Sequence, residues 1–314
     1  MKKRKHSNLK NLVLALAAWV LIVPSLALAE GQDNWPLERP AGNTEKQDMS
    51  YSFKMQLAAL VALFAGGDKD AEAEEVLDRM ARTPSFTSFE KQALRSQMVQ
   101  IFFQRQNLDR AMTELHALVA VDESNYFLVD KARMQMAALH FLKVNAAGCL
   151  ETLYKVVPYQ TNYTYDHLNA LAECHYYEAE AQVAAGADTA MGHYSDALFF
   201  AFNTIKMFGW DGGPSISMQS NAELLGPVLM ASAWQMDSVP EAYALLEETA
   251  AKNNALDLWM FTLSAYDTYT KAGVTLKSTL FDEGLLQQLA GGKTPAEFEG
   301  YVQAIITQRF AAGQ

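Results

Sequence analysis

From about Ser50 onward the chain places apolar residues at three- and four-residue steps, as in Met55, Leu57, Leu60, Val61 and Phe64, or Met98, Ile101 and Phe102. That is the period of an α-helix with one buried face. No run of alternating apolar and polar residues competes with it, so the pattern predicts an all-α fold. Breaks fall at Gly66-Gly67-Asp68, Pro84, Pro158, Gly186, Gly209 to Pro214, Asp237 to Pro240 and Gly291 to Pro295, all of them turn-forming stretches. Pro240 and Pro295 each precede acidic, helix-favouring residues, as expected of proline in a first helical turn. Residues 30–49 are polar, carry Gly31, Pro36, Pro40 and Gly42 and have no apolar period. They read as a flexible leader.

The helical pattern repeats. Ala73, Ala111 and Cys149 stand at equal intervals of 38 positions, as do Leu77, Leu115 and Leu153. Four more columns obey the same shift: Leu60, Met98 and Met136; Leu63, Ile101 and Leu139; Phe64, Phe102 and His140; and Met80, Leu118 and Val156. Each unit is then a helix, a short turn and a second helix, with a small residue where the two helices cross closely. A single such pair cannot cover its remaining apolar face, and stacking on the next pair does so. Beyond Val156 the small column continues at Ala197 and Ala242 in "YSDALFFAFNTIKMF" and "PEAYALLEETA", but the spacing grows to 48 and 45 positions. Residues 281–310 read as closing helices.

These features resemble the tetratricopeptide repeat (TPR), most clearly in "QIFFQRQNLDRAMTELHALVAVDE", where Phe102 stands in the aromatic column and Ala111 in the small one. The unit is four positions longer than the family's, and the Trp and Gly of the family's first helix are absent. The resemblance implies a right-handed superhelix, an α-solenoid of stacked antiparallel helix pairs, with three TPR-like pairs over residues 50–158 and an irregular continuation with capping helices over 159–314. It also implies a concave groove lined by first helices. Carried over by position, the groove residues are Ser96, Gln100, Phe103 and Gln104 in the second unit, with Lys131, Met134, Ala138, Phe141 and Leu142 in the third. Phe103 and Phe141 adjoin the packing columns, so a core role competes with a groove role for both. The linker "TPSFTSFEKQALRSQ", its Phe89-Glu90 pair and the "NLDRAM" turn further resemble exported repeat proteins that accompany the TonB, ExbB and ExbD energy-transducing system.

Residues 1–29 change the compartment. Lys2, Lys3, Arg4, Lys5 and Lys10 precede the apolar stretch from Leu12 to Val23, then Pro24 and the small-residue site Ala27-Leu28-Ala29. This is the layout of a cleavable bacterial export signal, and it predicts a periplasmic or secreted protein with no membrane insertion after cleavage. Losing the five basic residues leaves 20 Lys and Arg against 36 Asp and Glu, a net charge of −16. Nucleic acid is an unsuitable partner for such a chain. Cys149 and Cys174 would meet an oxidising compartment, either joined as one disulfide or as two thiols buried on apolar helix faces.

Candidate chemistry is sparse. Asp166, His167, Glu173, Cys174, His175 and Glu178 share one expected helix, and the steps from 167 to 175 and 178 return to one face. No two histidines stand four apart, so no metal site is expected. Cys174 and His175 point about 100° apart as helix neighbours and form no dyad. Glu74-Glu75 and Glu247-Glu248 read as solvated polar faces. None of the glycine pairs completes the Gly-x4-Gly-Lys-Ser/Thr pattern of a phosphate loop. Neither catalytic residues nor a cofactor are therefore expected, and the reading is a scaffold that binds a protein or peptide of the cell envelope. The alternative is an enzyme or small-molecule binder with a pocket in residues 159–213, which hold Tyr163, Tyr165, Tyr176, Tyr177, Tyr194 and Trp210. If the export reading holds, N-terminal sequencing of protein from the envelope fraction finds Glu30 first, and material beginning at Met1 refutes it.

Overall fold

The computed structural model describes residues 48–66, 70–156, 164–209 and 225–311. The export signal, most of the leader, Pro158, Tyr163 and Trp210 lie outside them. The described residues form thirteen α-helices and one 3-10 helix, with no strand among them. The chain divides after residue 160 into two compact units.

The first unit contains α1 (Tyr51–Gly66), α2 (Asp70–Arg82), α3 (Ser88–Gln104), α4 (Leu108–Val121), α5 (Tyr126–Leu142) and α6 (Ala146–Leu153). Consecutive helices pack as pairs, and the six repeat columns turn away from solvent. Every member is buried except Leu63 and His140, which are half-buried. Met55, which fits the apolar period, faces outward instead.

The turns repeat as closely as the columns. Gln106 and Val144 are both left-handed, at φ 58°. Each lets the following amide reach back to a carbonyl of the last helical turn, Asn107 N to Phe102 O at 2.8 Å and Asn145 N to His140 O at 2.9 Å. This is the Schellman arrangement, which uses up carbonyls a helix end would leave bare. The same two asparagines then cap the next helices, accepting from Arg110 N at 3.1 Å and Gly148 N at 3.0 Å.

Adjacent pairs are joined through the aromatic column. Phe64 meets Phe102 edge to face at 5.5 Å, Arg105 lies 5.2 Å above Phe64, and Arg110 lies 5.3 Å above Phe102. Such ring and cation contacts add to the area buried. In the third pair His140 takes the aromatic place, with its Nδ1 3.1 Å from Asn145 Nδ2. Gly148 stands where Arg110 stands one repeat earlier, because a Cβ there would come within 2.5 Å of Asn145 Nδ2 and 2.7 Å of His140 Nδ1.

The second unit contains α7 (Thr164–Ala185), α8 (Ala190–Phe208), α9 (Leu225–Gln235), α10 (Val239–Lys252), α11 (Leu256–Lys271), α12 (Glu283–Ala290), the 3-10 turn Pro295–Phe298 and α13 (Glu299–Ala311). Ala197 and Ala242 are buried. Asp237, at φ 51°, makes the same kind of turn between α9 and α10. Trp259 anchors the core: its indole N–H donates to Asn253 O at 2.9 Å and its ring meets Phe281 edge to face at 6.0 Å. The closing helices pack on α11 around Leu285, Leu289, Val302 and Ile306.

Two substitutions in the first unit should act in opposite directions. Leu115 is fully buried, so Leu115→Ala is expected to cost about 2–5 kcal/mol through the cavity it leaves. Val144 is a β-branched residue held left-handed while 87% exposed. Val144→Gly should therefore stabilise by about 1 kcal/mol, since it relieves strain and gives up almost no contact. Denaturant melts of both variants check the pair.

Candidate functional site

Along α3, Ser96, Gln100 and Phe103 are half-buried and Gln104 is exposed; along α5, Lys131, Ala138, Phe141 and Leu142 are half-buried. Met134, expected with them, is buried at 7% exposure and belongs to the packing. Phe103 and Leu142 touch the hydrophobic core of the first unit with part of their surface. Burial holds the Lys131 ammonium below its ordinary range, because a charge loses hydration there. Cys149 and Cys174 are both buried, and neither is a free thiol.

Glu90, half of the Phe89-Glu90 pair, has a structural role. Its Oε2 accepts from Thr87 N at 2.9 Å, completing a capping box at the start of α3. Its Oε1 accepts from Ser50 N at 2.8 Å and Ser50 Oγ at 2.7 Å, just before α1. One carboxylate therefore holds two helix N-termini, where the helix dipoles favour negative charge. Burial by itself would raise this carboxyl, but the Ser50 and Thr87 hydrogen bonds outweigh it and leave the pKa below 4.5. Glu247 works similarly in the second unit. It is 6% exposed rather than solvated, and Thr279 N and Oγ1 both donate to its Oε2, at 2.9 and 3.0 Å. Ser278 Oγ and Tyr243 OH donate to its other oxygen. Glu248 remains on the surface with Lys252.

A cleft of about 360 Å³ opens where the first two helix pairs meet, between Phe64, Asp70, Glu74, Phe102, Arg105 and Arg110. Its cations are already matched. Arg105 pairs with Asp70 at 2.8 Å, and Arg110 with Glu74 at 2.5 Å and Glu114 at 3.3 Å. Buried Glu114 also holds Arg95 at 2.7 Å. With each guanidinium facing a carboxylate, the cleft carries no surplus charge to draw an anion.

The concentrated chemistry lies in the second unit, between α7 and α8. His175 is buried, His193 is half-buried and Asp196 is exposed, and one potential ligand atom from each lies within 4.8 Å of the others. His175 Nδ1 is 2.9 Å from His193 Nδ1 and 3.6 Å from Asp196 Oδ2. Phe200 stacks on the His175 ring at 5.7 Å, 22° from parallel. Burial, the largest influence, takes the His175 imidazole down to about 4; Asp196 and Glu178 oppose the shift and His193 adds to it. Helical spacing points to partners for His175 on its own helix, at His167 and Glu178. The cluster instead joins it to His193 and Asp196 on the next helix. The three-residue step between those two, which puts both on one face of α8, is the signal in the sequence that could have found them.

Comparisons with protein-family models, with curated proteins and with solved structures return no match to this chain. Its own residues and their geometry therefore carry the functional reading.

Glu90 provides a pH test of the helix clamp. A carboxyl whose folded pKa lies below its unfolded value stabilises the fold above the unfolded value, and that contribution disappears as pH falls through the folded one. Glu90→Gln should therefore cost about 1–3 kcal/mol at pH 7, the range for a buried donor losing its acceptor. Urea melts from pH 7 to pH 3 should find the gap to wild type narrowing below pH 4.5, as Glu90 itself becomes protonated.

Proposed function

We propose that this chain is an exported, periplasmic scaffold of TPR-like helix pairs, stacked as a right-handed α-solenoid, that binds a protein or peptide partner of the cell envelope. The observation that carries the reading is a double recurrence at one interval. The same columns are buried, and the same left-handed turn and asparagine cap return, at Gln106-Asn107 and Val144-Asn145. Pairs built so regularly present equivalent first-helix faces, and on α3 and α5 those faces keep Gln100, Gln104, Phe103 and Phe141 partly accessible. Aromatic anchors beside amide side chains suit an extended or helical peptide, the rings supplying contact area and the glutamines pairing with its backbone. Half-buried Lys131 adds a cation with reduced hydration, which favours an acidic or C-terminal carboxylate in the partner. The "NLDRAM" turn and the linker before α3 direct the first search for that partner to the TonB, ExbB and ExbD machinery.

The test is site-specific photo-crosslinking in cells from Gln100 and Gln104, with exposed Asp78 as the control position. An adduct from the two glutamines and none from Asp78 is expected. Phe103→Ala combined with Phe141→Ala should weaken capture more than tenfold, since two anchors each losing over ~1 kcal/mol exceed the ~1.4 kcal/mol that a factor of ten requires. A stable double variant with undiminished capture rejects the groove. A double variant whose stability falls as far as its binding makes both rings core residues.

A further inference from the structure

We propose that His175, His193 and Asp196 form a binding site for one divalent transition-metal ion of the zinc class. The three side chains come from two helices packed face to face, His175 from α7 and the His193/Asp196 pair from α8. Ligands bound at ~2.0–2.2 Å around one such ion stand roughly 3–3.5 Å apart. His175 Nδ1 lies 2.9 Å from His193 Nδ1 and 3.6 Å from Asp196 Oδ2, and one ligand atom from each residue lies within 4.8 Å of the others, so a single ion comes within reach of all three as the side chains close on it.

The donor set names the class of ion. Two imidazoles and one carboxylate suit zinc and its d-block neighbours, whereas calcium and magnesium take oxygen ligands. Two Nδ1 atoms facing each other at 2.9 Å can share at most one proton, and a cation between them is held by both lone pairs at once. Phe200 stacks on His175 and limits its rotation. Solvent reaches the site, because Asp196 is 54% exposed and His193 is half-exposed. Three protein ligands leave a coordination position for water or for a ligand carried by a bound partner. The site lies in the second unit and shares no residue with the peptide groove.

The purified protein, stripped with EDTA and dialysed, is titrated with zinc chloride by calorimetry. One zinc per chain is expected, together with a rise in thermal midpoint at saturation, because a ligand that binds only the folded state stabilises it. Buried His175 is left intact. His193→Ala and Asp196→Asn change more exposed ligands, and each should weaken zinc binding at least about tenfold while the EDTA-treated variants melt like wild type. As a second readout, cobalt substituted for zinc should give visible d–d absorption in wild type that both variants lose. The proposal is overturned if the stripped protein takes up less than stoichiometric zinc from a tenfold excess, or if both variants bind zinc as wild type does, which would place the ion elsewhere. A variant that melts lower is judged by cobalt absorption at a temperature where it remains folded, and an undiminished spectrum there also overturns the site.

Discussion

The first unit depends on covering each helix pair's open apolar face with the next pair. Leu77, Leu115 and Leu153 are fully buried inside their pairs, but a pair in isolation would leave the Phe64 or Phe102 side wet. The edge-to-face contact of those two rings closes that gap, and Arg105 and Arg110 lie over the rings with their charges matched by Asp70 and Glu74. Hydrophobic burial supplies the drive. Paired charges at the rim let polar side chains share the junction without an unmatched ion.

Burying the pairs leaves helix ends to satisfy, and buried polar side chains do this over long separations. Glu90 receives donors from Thr87, in its own capping box, and from Ser50, at the start of a different helix. Fully buried Gln92 donates to the carbonyls of Leu118 and Asp122 at the end of α4 and accepts from Asn125, the cap of α5. Glu247 holds Ser278 and Thr279, which lead into the closing helices of the second unit. A buried polar group without partners is costly, so these networks hold in place the segments that complete them.

The same economy separates structural polar groups from candidate functional ones. Glu90, Gln92 and Glu247 have their capacity filled by backbone groups, hydroxyls and, for Gln92, the Asn125 amide. His175, His193 and Asp196 instead bring two imidazoles and a carboxylate together between α7 and α8, with His175 Nδ1 2.9 Å from His193 Nδ1 and 3.6 Å from Asp196 Oδ2. The half-buried faces of α3 and α5 in the first unit carry apolar and amide groups side by side.

Residue order alone determined what repeats over short range. The helical period, the turn positions and the repeat columns are local quantities, and burial of Ala73, Ala111, Leu77 and Leu115 follows from them because one stripe per helix must leave water. Even the two asparagine caps stand at matching places in the chain. Tertiary structure decided the rest. Whether Met134 is covered while Gln104 is exposed, whether Glu247 caps a distant segment or faces solvent like Glu248, and whether His175 meets His167 or His193 all depend on the rotation and register of helices well separated along the chain. Periodicity gives a helix its apolar stripe, but packing alone sets which polar residues beside that stripe come within hydrogen-bonding or ligand distance.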